Sequence, residues 1–257
     1  MRLIRPRSAG TSRRPLLLAL VMIGTGLVAA GIVVRLPGAS RAAGPLALAA
    51  ALGLGVGAAW LVRAVRRRPV ASVADELDPL LAAAFDDAWV LIAEPRLPGV
   101  GRDLAALLVG PGGVRALVVR RWRGRYRVRG KGWEYDTRDA RRGWIRCRTN
   151  PTFDADSLAG AVMAWAKQTN LDPHLAVTGT PVFPHAHSRV ILEDPQGEVV
   201  TADNAPWWAN RIGRVRRLDP DRVARIVEAV LDATEATVTA SVRRSTHGAG
   251  RQSPEAR

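Results

Sequence analysis

Two long apolar segments near the start of the chain constrain its fold more than any other feature. Pro15–Val34 holds twenty residues without a charged side chain, and Pro45–Val62 holds eighteen. A helix of about twenty residues is roughly 30 Å long, which matches the hydrocarbon thickness of a bilayer. The sequence therefore predicts a transmembrane helical hairpin over residues 15–65, with spans 15–34 and 45–62, and makes the lipid bilayer its first expected partner.

Arginines that flank the two segments predict how the hairpin is oriented. Residues 1–14 contain five arginines and residues 63–68 contain four, whereas the loop between the segments contains two. Because cytoplasmic flanks carry the excess of basic residues, both termini are expected in the cytoplasm, at the plasma membrane of a bacterium. Ser12-Arg13-Arg14 before an apolar segment is also typical of an export signal, but the second segment argues against cleavage.

Glycine and alanine at short intervals inside the segments allow close helix contact. Gly24, Gly26 and Ala30 lie in the first segment, and Gly53 and Gly57 lie in the second. Small residues at such spacing let two helix backbones approach each other. The sequence leaves three interpretations open: packing within the hairpin, contact between copies in a homo-oligomer, or a surface that faces lipid.

Positive charge is concentrated in two parts of the chain. The net charge is +15, and residues 1–70 hold 11 arginines and no acidic residue. From residue 71 onward 27 basic residues stand against 23 acidic ones, but residues 115–148 alone hold 13 basic and 3 acidic residues. An argument for an anionic ligand therefore needs a local patch, not the net charge. Cys147 is the only cysteine, which excludes an internal disulfide and a cysteine-rich metal site.

The remainder of the chain has the pattern of a mixed α/β (α+β) domain flanked by helices. Periodicity and turn residues predict a helix, five strands, a helix, three strands and two helices. The predicted organisation is a basic cytoplasmic N-terminus (1–14), the hairpin (15–65), a cytoplasmic domain (66–236) and a disordered tail (237–257). The predicted elements of the domain are Ala71–Asp87, Trp89–Ala93, Leu104–Val109, Val114–Val119, Arg125–Arg129, Trp133–Tyr135, Ala155–Thr169, His174–Phe183, Val190–Leu192, Val199–Thr201, Pro206–Ile212 and Asp219–Ala233.

A basic ribbon follows a predicted β-hairpin in this domain. The turn Gly110–Gly113 joins two apolar runs, and beyond the second run arginines alternate with apolar or aromatic residues. Because side chains alternate between the faces of a strand, the basic groups share one face, while Trp122 and Tyr126 point to the core. The same pattern also suits a solvated outer face of an edge hairpin, or contact with anionic lipid. The candidate phosphate-binding residues are Arg121, Arg123, Arg125, Arg127, Arg129 and Lys131.

An ordered set of residues around this hairpin resembles a known family. Asp103 leads the first strand, a Gly-Pro turn joins the two strands, and Arg120 follows the second. Trp122-x-Gly124, Gly132-Trp133 and Asn150-Pro151 come next, in that order. Over residues ~70–200 this set resembles the nuclease-related domain (NERD) family, which implies a restriction-endonuclease-like fold of a mixed sheet flanked by helices.

The resemblance also implies a nuclease site that has lost essential groups. In the family an Asp and the Glu of a Glu-x-Lys motif hold Mg²⁺, and the Lys positions or activates the attacking water. Asp103 matches the Asp, whereas Val118 occupies the Glu position, Arg120 the Lys position, and Asp154 a position that is often Gln. Valine cannot bind a metal, and arginine stays protonated and cannot serve as a base. Asp103 and Arg120 are therefore expected to be vestiges of catalytic residues, without a metal or another cofactor.

The expected function is that of a membrane-anchored nuclease-related protein that binds nucleic acid or a partner and is not an enzyme. One alternative is an active Mg²⁺-dependent nuclease in which Glu134, Glu94 or Glu76 replaces the missing acid. Another is a structural membrane protein whose arginine ribbon contacts anionic lipid. Asp103 also suits a capping role at a turn.

Two further pairs of residues each have two interpretations. His185 and His187 suit metal ligands two residues apart, but the sequence offers no third ligand near them. Trp207 and Trp208 suit either an interfacial anchor or helix packing. The chain has no Walker motif, nucleophile elbow or dinucleotide-binding fingerprint.

Overall fold

The computed structural model describes residues 1–6, 14–35, 43–66, 72–139 and 141–248. These residues form a mixed α/β protein with six helices and two mixed sheets. The chain divides into two compact units. One unit contains two apolar helices, and the other contains residues 1–6 together with the described residues from 72 onward.

The apolar unit is a helical hairpin. Helices α1 (Arg14–Arg35) and α2 (Ala43–Arg66) pack against each other. Within them, Leu17–Arg35 and Gly44–Val62 are each 19 residues long and apolar enough to cross a membrane. Their lengths agree with the two spans that the sequence predicts.

Glycines lie where the two helix backbones meet. A Cβ atom added at Gly53 would lie 3.0 Å from the Cα atom of Gly26 and 3.0 Å from the carbonyl oxygen of Met22. A Cβ atom at Gly57 would lie 3.1 Å from the backbone nitrogen of Ile23. These glycines therefore permit packing within the hairpin, which supports the first of the three interpretations for them. Gly24, by contrast, has no atom within 4 Å of such a Cβ position.

We expect Gly53→Leu to weaken the hairpin by about 1–3 kcal/mol, because the new side chain meets backbone atoms that cannot move aside. Energy transfer between dyes on cysteines introduced at Leu17 and Val62, in a chain that also carries Cys147→Ser, reports the association of α1 and α2 in micelles. In the Gly53→Leu chain the energy transfer should be lost at a lower fraction of sodium dodecyl sulfate than in the chain with Gly53. Gly55→Leu is the matched control, since Gly55 has no neighbour within 4 Å of the added Cβ. Equal effects of both variants would contradict the packing role of Gly53.

The second unit is built on two β-sheets. The first has six strands in the order β1-β2-β3-β4-β8-β10, and the second has four in the order β7-β6-β5-β9. In the first sheet β3 is antiparallel to β2 and β4, while β4 is parallel to β8. The elements of this unit are β1 (Arg2–Ile4), α3 (Val73–Leu81), β2 (Val90–Ala93), β3 (Ala106–Gly110), β4 (Gly113–Val119), β5 (Gly124–Gly130), β6 (Gly132–Asp136), β7 (Trp144–Arg146), α4 (Pro151–Gln168), β8 (Val177–Phe183), β9 (Ser188–Pro195), β10 (Val200–Thr201), α5 (Ala205–Gly213) and α6 (Pro220–Gly248).

Helices cover both faces of the first sheet. Ile92 and Val109 belong to a core cluster that also contains residues of α4 and α6. Leu91 and Leu108, their neighbours along the strands, point to the opposite face and join residues of α3 and α5. The alternation of side chains along each strand therefore produces two apolar layers, one on either side of the sheet.

Strand β1 is the largest departure from the predicted organisation. Arg2–Ile4 pairs in parallel with β2, although the sequence assigns residues 1–14 to a separate basic N-terminus. Arg5 then donates a hydrogen bond to Asp75 at 2.8 Å, so the start of the chain also contacts α3. Three strand residues are too few to show a period of two, which is why the pattern gives no sign of β1. Residues 7–13 lie outside the described part of the chain.

Other boundaries also differ from those predicted. Helix α3 ends at Leu81, whereas the sequence extends it to Asp87. Strand β7 lies within residues 136–149, which the sequence assigns to a loop. Helix α6 continues to Gly248, whereas the sequence predicts a disordered tail from residue 237, and residues 249–257 lie outside the described part. The extension follows because no proline or glycine interrupts α6 after its first residue, although its many polar residues resemble a tail.

Candidate functional site

The β3–β4 hairpin is held in place by its glycine turn. A Cβ atom at Gly110 would lie 2.2 Å from Cδ2 of Trp89, and one at Gly112 would lie 2.4 Å from the carbonyl oxygen of Ile212. Only glycine permits these contacts, so the turn packs closely against Trp89 and α5. The turn fixes one end of β3 and β4, and the candidate site lies at the other end.

A cavity of about 340 Å³ lies where β2 ends, β3 begins and β4 ends. Asp103 and Arg120, the two residues predicted as vestiges of a nuclease site, both line it. The structure therefore brings together the two positions that the resemblance pairs. The other charged residues that line the cavity are Glu94, Arg96, Arg102 and Arg121.

The position of the missing acid is part of the core. Val118 is fully buried in β4, where it lies opposite Pro181 of β8, and it does not line the cavity. The valine side chain has no oxygen atom, so it cannot replace the carboxylate ligand of the family motif. Within the described residues, no group of three or more His, Cys, Asp or Glu side chains is placed to hold a metal ion.

Arg120 forms an ion pair with the first turn of α4. Its Nη2 atom donates a hydrogen bond to Oδ2 of Asp154 at 2.6 Å, and its side chain is 21% exposed. Asn150 caps this helix, since its Oδ1 atom accepts a hydrogen bond from the backbone nitrogen of Phe153 at 3.1 Å. Nε of Arg120 is buried and has no hydrogen-bond partner. Asp154 thus neutralises much of the charge that Arg120 brings to the cavity.

Of the three acids considered as replacements, only Glu94 lines the cavity with Asp103. Its backbone, with φ of 49°, donates a hydrogen bond from its nitrogen to the carbonyl oxygen of Ala105 at 2.8 Å. Glu76 instead accepts hydrogen bonds from Nε of Arg121 at 2.8 and 3.0 Å. Glu134 lies in the second sheet, where it pairs with Arg127.

The predicted phosphate-binding ribbon carries acidic partners. Strand β5 lies between β6 and β9 and is not at the edge of its sheet, contrary to the alternative of a solvated edge hairpin. Arg123 and Lys131 form no ion pair within the described part of the chain, whereas the other four predicted residues do. The pairs are Arg121–Glu76, Arg125–Asp136, Arg127–Glu134 and Arg129–Glu193. The last two join directly opposite residues of neighbouring strands, so most of the ribbon is a salt-bridged sheet face.

The aromatic residues of the ribbon lie on the buried face, as predicted. Trp122 and Tyr126 pack against a cluster that contains Trp133 and Phe183. The rings of Trp133 and Phe183 stack with centroids 5.2 Å apart, and Nε1 of Trp133 donates a hydrogen bond to Thr152 at 2.9 Å. Burial, and to a smaller extent the charge of a Cys147 thiolate, raises the pKa of Tyr126. These rings therefore join the two sheets and are not free to stack on bases.

A buried polar network was not anticipated from the sequence. Arg115 is 4% exposed in β4, and its Nη2 atom lies 3.3 Å from Oε1 of Glu198. Oε2 of Glu198 accepts hydrogen bonds from Thr180 at 3.3 Å and from Nε1 of Trp208 at 3.0 Å. The available signal was an arginine inside an otherwise apolar strand, because a buried charge requires a partner. Nothing in the spacing identified Glu198 as that partner.

The two pairs left open by the sequence have different outcomes. His185 and His187 stack with ring centroids 4.8 Å apart, and Nε2 of His185 lies 3.8 Å from Glu76. Trp208 is buried in the core, whereas Trp207, beside it, is 64% exposed. Helix packing is therefore correct for Trp208 alone.

Comparison with models of protein families, with curated proteins and with solved structures gave no match. The relation to the nuclease-related domain therefore rests on the residues of this chain alone.

We expect Arg120 and Asp154 to be coupled in stability by about 1–2 kcal/mol, between the values typical of exposed and of buried ion pairs. A double-mutant cycle with Arg120→Ala and Asp154→Ala measures this coupling, by urea denaturation of the full chain in micelles followed by tryptophan fluorescence. The matched control is a second cycle with Arg120→Ala and Asp156→Ala. Asp156 lies two residues after Asp154 in α4. Coupling below about 0.3 kcal/mol for Asp154 would show that the pair contributes nothing.

Proposed function

We propose that this protein is a membrane-anchored, nuclease-related binding module, which holds phosphate groups of a nucleic acid in the arginine-lined cavity and does not cleave them. One observation carries the proposal. Asp103 and Arg120 share the cavity, but Val118 is buried at the position of the second metal-binding acid. The cavity therefore keeps groups that contact a phosphate and lacks the set that hydrolysis requires.

The arrangement of secondary structure supports the family resemblance and its restriction-endonuclease-like fold. Asp103 lies just before β3, the Gly-Pro turn joins β3 to β4, and Arg120 follows the last residue of β4. Trp133 lies in β6, and Asn150 caps α4. The order of Asp103, the Gly-Pro turn, Arg120 and Asn150 along β3, β4 and α4 thus agrees with the family pattern.

Two arginines of the cavity support phosphate as the ligand. Four arginines and two carboxylates line the cavity, and Arg120 and Arg121 are paired with Asp154 and Glu76. Arg96 and Arg102 are exposed and form no ion pair with another described residue. The planar guanidinium group donates paired hydrogen bonds to phosphate oxygens, and it cannot activate a water by taking its proton.

The hairpin supports attachment to a membrane, in the multi-pass arrangement with both termini in the cytoplasm. Strand β1 precedes the hairpin and β2 follows it, yet the two strands pair in one sheet. This pairing supports an arrangement in which both flanks of the hairpin lie on the same side of a membrane. The excess of arginine in those flanks favours the cytoplasmic side of a bacterial plasma membrane. A Cβ atom added at Gly24, Gly31 or Gly55 would meet no neighbouring residue within 4 Å, so these positions remain available for a homo-oligomer.

A second candidate function is an active Mg²⁺-dependent nuclease. The observation that favours it is the presence of Glu94 beside Asp103 in the lining of the cavity. Mg²⁺ is often bound through one or two carboxylates with water as the other ligands. The anionic-lipid alternative has less support, because four of the six basic ribbon residues already pair with acids.

We expect the full chain in nanodiscs to release no product from end-labelled DNA or RNA in the presence of Mg²⁺. The reason is that Val118 supplies no metal ligand and Arg120 no base. Gel electrophoresis of the labelled strand measures release, with Asp103→Ala and Glu94→Ala chains as controls. Cleavage by the unmodified chain that both substitutions abolish would establish the second candidate function in place of the first.

We expect the double variant Arg96→Gln, Arg102→Gln to bind labelled duplex DNA more weakly and with a salt slope reduced by about 2. Each arginine that neutralises a phosphate displaces about one condensed counterion. Fluorescence anisotropy at several salt concentrations measures both quantities. The control is Arg138→Gln, Arg141→Gln, which removes the same charge from two exposed arginines that do not line the cavity. Identical slopes for the two double variants would exclude the cavity as the phosphate site.

A further inference from the structure

Helix α5 presents one aromatic and several basic side chains to solvent. Trp207, Arg211 and Arg214 follow each other at intervals of four and three residues, which places them along one face of a helix. Arg216 and Arg217 are exposed directly after the helix. These five residues are called the α5 surface below.

The core holds the α5 surface in a fixed position. Ala205, Trp208, Ala209 and Ile212, on the other face of the helix, are buried against the first sheet. Glu198 accepts a hydrogen bond from Trp208, and Nη2 of Arg211 lies 3.8 Å from the same carboxylate. The exposed side chains therefore project from a helix that is anchored along its length.

The charge of the α5 surface is mostly uncompensated. Residues 204–218 contain four arginines and no acidic residue. Arg214, Arg216 and Arg217 form no ion pair with any residue that the structure describes, and Arg211 has only its long contact with Glu198. Most of the predicted ribbon is paired with acids, whereas three of the four arginines of the α5 surface have no acidic partner among the described residues.

Trp207 adds a surface on which a flat ring can stack. The guanidinium carbon of Arg211 lies 5.0 Å from the centroid of the indole, close enough for a cation–π contact. With 64% of Trp207 exposed, the indole keeps area for a further contact. An exposed aromatic ring next to unpaired arginines is the combination by which proteins bind bases and phosphates of single strands.

We infer that the α5 surface binds single-stranded nucleic acid, with a base stacked on Trp207 and phosphates contacting Arg214, Arg216 and Arg217. The inference rests on the proposed function for the class of ligand. A lipid headgroup fits less well, because a helix that enters a membrane surface inserts an apolar face, and that face of α5 is buried in the core. Only Trp207 and Val215 are large apolar residues exposed in this region.

The test uses the full chain in nanodiscs of zwitterionic lipid and labelled oligo(dT) as the probe. Trp207→Ala should weaken binding roughly tenfold, and Trp207→Phe should restore most of the affinity because it keeps a ring. The triple variant Arg214→Gln, Arg216→Gln, Arg217→Gln should lower the salt slope by about 2. Phe153→Ala, which removes another exposed aromatic residue, is the matched control and should bind like the unmodified chain.

Unchanged affinity of Trp207→Ala, or an equal loss with Phe153→Ala, would overturn the inference. So would capture of anionic vesicles that requires Trp207 and the three arginines while oligo(dT) binding does not. The cavity variant Arg96→Gln, Arg102→Gln separates this inference from the proposed function. Loss of binding in the cavity variant alone keeps the proposed function and overturns the α5 surface, whereas loss in the α5 variants alone does the reverse.

Discussion

The pairing of β4 with both β3 and β8 is the interaction on which the rest of the second unit depends. The residues of β4 contribute to the core on both faces of the first sheet, and Leu117 and Val118 are fully buried. The register of β4 also determines the positions of the polar side chains in and after this strand. It places Arg115 in the interior beside Glu198, and it ends the strand so that Arg120 reaches both the cavity and Asp154. A shift of one residue would exchange the two faces of β4 and bury the wrong side chains.

Pairing with acids, more than the number of arginines, determines which basic groups are available to a ligand. The ribbon holds five arginines in residues 121–131, yet cross-strand neighbours such as Glu134 and Glu193 lie directly beside its side chains. The four arginines of residues 204–218 are fewer, but acids are absent from that segment. Local electrostatic potential follows the sum of both signs, so arginines without acidic neighbours remain available to an anionic ligand.

The sequence predicted those features whose hydrophobic pattern extends over many residues. The two apolar spans, the strands of the β3–β4 hairpin and the burial of Trp122 and Tyr126 all follow from hydrophobic periodicity or length. The missed features depend on a few residues or on distant partners. Strand β1 has only three residues, and Glu198 lies 83 positions after Arg115. Of the charged residues that line the cavity, the sequence pointed to Asp103, Arg120, Arg121 and Glu94. It did not point to Arg96 and Arg102, which lie in loops whose course no local pattern determines.

Strands β1 and β2 belong to one folded unit, although the two apolar helices lie between them in the sequence. The first sheet reaches its full width only when residues 2–4 pair with β2, and this requires the chain on both sides of the hairpin to meet. An arrangement with a single span crossing the membrane would place β1 and β2 on opposite sides, and the edge of β2 would remain unpaired. The β1–β2 pair is therefore compatible with the proposed two-span arrangement, which the flanking arginines also favour. The three residues of β1 thus bear on the sheet and, under the proposal, on the topology of the hairpin.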